Sequence, residues 1–124
     1  MVETDGRIYL ELPIEKEFAR LLRLMVSGIA SRMDFDLDAV DDLKIAVEEA
    51  FLTAMRRGVE SPIKVSFVPG ETALSIEFKG RVAAAGVGES RVDEFGNFIL
   101  EAVVDELSHG GSDTDFDLRL VKTV

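Results

Sequence analysis

The sequence has no cysteine, which excludes a disulfide framework and thiolate chemistry and fits a reducing compartment. It also lacks a long apolar run. The longest, Leu24 to Ala30 (LMVSGIA), is too short to span a bilayer, and Met1 to Gly6 carries no signal-peptide pattern. A soluble, cytoplasmic protein with no membrane partner is expected. An excess of basic residues is missing too: 14 Lys and Arg face 24 Asp and Glu, a formal net charge of -10. Nucleic acid needs a basic surface and is not an expected partner. Acidity of this size serves solubility, or masks a basic partner. The one histidine, His109, sits in a glycine-flanked turn with no second histidine or cysteine near it, so no metal site is expected. Repeats and internal linkers are absent. With 124 residues, 47% of them hydrophobic, residues 1–124 should form one domain with its own core.

The most informative stretch is Asp38 to Gly58, DAVDDLKIAVEEAFLTAMRRG. Val40, Leu43, Val47, Ala50, Phe51 and Ala54 recur at the spacing of one buried helical stripe. No proline or glycine interrupts it, Asp36 or Asp38 can cap its start, and Gly58 stands where a C-terminal cap belongs. Glu49 lies well away from the stripe, with Thr53 on the same flank one turn later. The helix thus has a second face that could look into a pocket.

Around it the periodicity changes repeatedly. Arg7 to Leu12 alternates and reads as a half-buried strand ended by Pro13. Glu15 to Met33 is helical, with Phe18, Leu21, Leu22, Met25, Val26, Ile29 and Met33 on one side; Gly28 inside it suggests close packing. Ile63 to Val68 and Ala73 to Phe78 alternate and pair as a hairpin across Pro69 to Thr72. Gly80 to Asp93 reads as a loop, Glu94 to Leu107 as a helix, His109 to Ser112 as a break, and Phe116 to Lys122 as a last strand. This order holds few βαβ units. It predicts an α+β fold: a two-layer sandwich whose mixed, mostly antiparallel sheet is covered on one face by three helices.

Leu43 to Gly58, LKIAVEEAFLTAMRRG, resembles the N-box helix of small GHKL-type ATPase domains, within them the anti-sigma factor serine kinases of the RsbW kind. The resemblance extends to EFAR at Glu17 to Arg20, to a helix ending VVDEL at Val103 to Leu107, and to a last strand beginning near Thr114. It implies a histidine-kinase-like ATPase fold and phosphoryl transfer from Mg-ATP to a serine on a partner protein. Such chemistry rests on positioning and charge neutralisation.

The match is uneven at the site. Glu49 keeps the N-box glutamate, which would orient or deprotonate the attacking hydroxyl; without the resemblance it reads as a solvated acid. The magnesium-binding asparagine is replaced by Thr53, which otherwise reads as a helix-surface threonine. The adenine-reading aspartate is replaced by Phe78 in IEFKG, where Gly80 is the retained glycine. Phe78 offers no acceptor for the adenine amino group, and a core strand position explains it equally. The second glycine pair is reduced to Gly96, with Glu94 adding negative charge; Gly86 and Gly88 are a weak phosphate signal. Thr114 matches a threonine that supports adenine from the last strand.

The expectation is a domain that keeps the scaffold, has weak or lost ATP binding and needs no cofactor. It would act as an anti-sigma-like regulator that binds a sigma factor or an anti-sigma antagonist. The resemblance implies partner contacts through the first helix, making Glu17, Arg20 and Arg23 the candidates, and pairing as a homodimer. The runner-up is an active ATP-dependent serine kinase phosphorylating an antagonist, with Glu49 as base and Thr53 in a rearranged magnesium site. A third reading is a domain with some other ligand between helix and loop.

Overall fold

A computed structural model describes residues 6–82 and 94–124. Its elements are β1 (Ile8–Leu12), α1 (Phe18–Ala30), α2 (Leu37–Arg56), β2 (Ile63–Pro69), β3 (Ala73–Arg81), α3 (Glu94–Val103), β4 (Glu106–Gly111) and β5 (Asp115–Thr123). The strands form one sheet in the order β1-β2-β3-β5-β4, every neighbouring pair antiparallel. Alternation puts Ile63, Val65 and Phe67 of β2, Leu74, Ile76 and Phe78 of β3, and Phe116, Leu118 and Leu120 of β5 on one face, all buried. The three helices cover that face, as expected for an α+β sandwich.

The other face is polar. Tyr9, Ser66, Glu77, Arg119 and Ser108 lie in one row across the sheet. Glu77 sits 3.8 Å from both Arg7 and Arg119, a solvated charge row rather than a second core.

α2 is fixed at both ends. The Asp36 side chain accepts from the Ala39 amide at 2.8 Å, a side-chain N-cap. At the other end Gly58 takes φ +81°, its amide bonds to the Met55 carbonyl at 3.1 Å, and the Val59 amide bonds to the Ala54 carbonyl at 3.0 Å. This is a Schellman ending, which needs the left-handed conformation glycine adopts without strain. Inward, α2 buries Leu43, Ala46, Val47, Ala50, Phe51 and Ala54.

Several expectations need correction. The third helix stops at Val103, not Leu107, and β4 follows, a strand read from the sequence as helix end and break. The reason lies in β5: Lys122 Nζ donates to the Val103 carbonyl at 3.0 Å and to Asp42 Oδ2 at 3.2 Å, capping the helix with a positive charge. Next the Asp105 amide bonds to the Val121 carbonyl and its carboxylate accepts from the Thr123 amide at 2.6 Å, feeding the chain into the sheet. His109 is therefore an exposed strand residue opposite Leu118, not a turn residue. α1 ends at Ala30, three residues before Met33. Gly28 is exposed, and a Cβ built on it meets nothing within 4 Å, so close packing does not explain it. Most of the expected Gly80 to Asp93 loop, with Gly86 and Gly88, lies outside the described residues, as do residues 1–5.

Candidate functional site

Glu49, Thr53 and Arg56 occupy successive turns along one side of α2. Arg56 Nη2 donates to Glu49 Oε2 at 2.6 Å and to Thr53 Oγ1 at 3.2 Å. The Thr53 hydroxyl in turn points to Glu49 Oε2 at 3.5 Å. Two of the three are withdrawn from solvent, the Glu49 side chain 13% exposed and Thr53 only 2%, while the Arg56 side chain reaches the surface at 36% exposed. Thr53 is thus not the helix-surface threonine its flank suggested.

α3 lies over these three side chains at Gly96. A Cβ there would stand 2.6 Å from Glu49 Oε2, 2.9 Å from Arg56 Nη2 and 3.2 Å from Thr53 Oγ1. A larger residue would push these polar side-chain tips aside, so Gly96 lets α3 lie directly over them. Glu49, Thr53 and Gly96, three of the residues singled out in the sequence, do meet. Arg56, which sequence reasoning missed, joins them. Its position seven residues after Glu49 puts the two on one helix face two turns apart, a signal that could have found it.

The arrangement restricts chemistry. A carboxylate used as a base needs a lone pair aimed at the incoming hydroxyl. Here one oxygen of Glu49 is engaged by a guanidinium, which stays charged at any working pH. A cation therefore already stands beside Thr53, where the resemblance puts a magnesium ligand.

The adenine end is different. Phe78 is fully buried, between Val65 of β2 and Leu118 of β5 in register. It is a core residue of the sheet. Gly80 is retained for a steric reason: a Cβ there would lie 2.5 Å from Val59 Cγ1, and Val59 is itself buried and bridged to Val82. Thr114 is exposed in the β4–β5 turn, where its carbonyl accepts from the Val82 amide at 2.8 Å.

The helix-face candidates also come out exposed. Glu17 precedes α1 and makes no side-chain cap bond; Arg20 is exposed; Arg23 lies 3.7 Å from Glu48 of α2. Arg20 and Arg23 line a groove of about 210 Å³ with Leu24, Ser27 and Lys44. Leu24, 66% exposed, and Lys44 were not picked out by periodicity, because both sit off the buried stripes.

No family model matches the chain. Individual relatives do. The serine-protein kinase RsbW of Bacillus pumilus is 31% identical over 117 residues, spanning 90% of this chain and 72% of the relative. RsbW of Listeria monocytogenes is 30% identical over 127 residues, with 86% and 81% covered. RsbW of Bacillus licheniformis is 34% identical over 113 residues, with 83% and 68% covered. Among solved structures, the RsbU and RsbW domains of a Mycobacterium tuberculosis protein superpose with TM-score 0.73 at 17% identity. That match covers 94% of this chain but only 32% of the solved one, and it speaks for the fold alone.

Proposed function

Because this chain belongs to the RsbW serine-protein kinase family, we propose that it is an anti-sigma-like regulator acting by binding, with weak or lost use of ATP. Its partners in this reading are a sigma factor or an anti-sigma antagonist, met in the cytoplasm. Pairing as a homodimer and contacts through Glu17, Arg20 and Arg23 belong to the same proposal.

The observation that carries the reading is the closed Glu49–Thr53–Arg56 cluster under Gly96. Seating the phosphates there would require Arg56 to leave Glu49, and would bring polyphosphate charge beside the Glu49 carboxylate. A hydrogen bond to a charged group contributes about 1.5–3 kcal/mol, which nucleotide binding would have to offset. Phe78 adds to this, since a base beside it would leave its amino group without an acceptor, costing about 1–3 kcal/mol. No described helix is long and apolar enough to cross a membrane.

The test is a thermal-shift titration with Mg-ATP. A ligand at about 100 times Kd stabilises by about 2.7 kcal/mol; no shift at millimolar nucleotide is expected. The second reading, an active serine kinase, is favoured by one observation: Glu49, Thr53 and Gly96 are held together where phosphates would be handled. It predicts a clear shift, lost in Glu49→Ala, together with phosphate transfer to a serine of the antagonist.

A further inference from the structure

Two phenyl rings stand on the outside of α3. Phe95 is 73% exposed and Phe98 69%, while Gly96 and Leu100 on the inner side are buried. Three residues apart, the rings are neighbours on the helix surface, and the exposed Ala102 extends their stripe by one turn. Single exposed apolar side chains are ordinary, but an adjacent aromatic pair is the kind of patch that marks a contact. Aromatic residues are also the type that dominates binding energy at interfaces.

One flank of the stripe is acidic. Glu94 and Glu101, two turns apart, are both exposed, and neither is in an ion pair among the described residues. The chain as a whole carries -10. We propose that the outer face of α3 docks a basic, amphipathic helix of a partner protein. Apolar side chains of that helix would cover Phe95 and Phe98, and its Lys or Arg residues would meet Glu94 and Glu101. The inference rests on the partner-binding reading above and adds to it the surface and the chemistry of what binds there. A second copy of this chain fits less well, because face-to-face pairing would oppose the same two carboxylates. An anionic membrane would be repelled by them.

The test uses two synthetic helical peptides with one apolar face in common, one flanked by lysine and arginine, the other by glutamate. Each is titrated against the full chain by fluorescence anisotropy at low and high salt. The cationic peptide should bind at least about tenfold tighter than the anionic one, and salt should weaken it. Phe95→Ser with Phe98→Ser should reduce its binding about tenfold or more. Glu94→Gln with Glu101→Gln, at two exposed positions, should weaken it and flatten the salt dependence. That second pair also keeps the test decisive if the phenylalanine variant unfolds. Equal binding of both peptides, or binding indifferent to both pairs of substitutions, overturns the proposal. A dimer in sedimentation that is lost in the phenylalanine variant overturns it in favour of self-association. Binding to vesicles of anionic phospholipid with the same dependence overturns it in favour of a membrane. A sigma factor that binds wild type and phenylalanine variant alike would leave the regulator reading standing and remove only this surface.

Discussion

At the residue scale, the decisive side chain is Arg56. Its bond to Glu49, at 2.6 Å in a partly shielded setting, is stronger than an ordinary surface pair. Arg56→Met should lower stability by about 1–3 kcal/mol in urea unfolding, because Glu49 keeps only the Thr53 hydroxyl. In a double-mutant cycle with Glu49→Gln the two changes should couple by about 0.5–3 kcal/mol. Additive effects would show that the pair does not hold in solution. Phe78 makes the complementary point. Replacing it with the aspartate that the resemblance implies would place a carboxylate in a fully buried strand position between Val65 and Leu118. Phe78→Asp should destabilise by several kcal/mol, leaving a largely unfolded chain by circular dichroism rather than a recovered nucleotide site. The sequence singled out Thr53 and Phe78 because both depart from the pattern that the resemblance implies. Arg56 stands outside that pattern, so only the geometry of the helix turns brings it forward.

At the element scale, the long helix and the central strands could be read because each buries one regular stripe. β4 could not. Its sequence, ELSHGG, has no alternation of apolar residues, and as an edge strand it has little to bury. Leu107 faces the same side as Leu120 in the sheet, yet it also falls at helical spacing from Val103, which extended the helix falsely. What ends α3 is Lys122, from a strand nineteen residues later, and no local signal carries that. Two glycines in the helical regions should respond with opposite sign. Gly28→Ala, with open space around it and an ordinary backbone angle, should stabilise by about 1 kcal/mol. Gly58→Ala, at φ +81°, should destabilise by about 1–2 kcal/mol. Chemical denaturation of both variants against wild type checks the pair, and a loss of stability in Gly28→Ala would refute the account of that position.

At the scale of the whole molecule, 24 carboxylates against 14 cations make self-repulsion a global cost. Raising NaCl from about 0.05 to 0.5 M should therefore raise the urea midpoint, because screening relieves the net charge more than it weakens the described ion pairs. A falling midpoint would mean that pairs such as Lys122–Asp42 outweigh the net repulsion. The same scale bears on the clasp between Arg56 and Glu49. Donor and acceptor both belong to α2, and Gly96 of α3 lies directly over them. Arg56 is a resident counter-ion: the Glu49 carboxylate draws its positive charge from its own helix, two turns along.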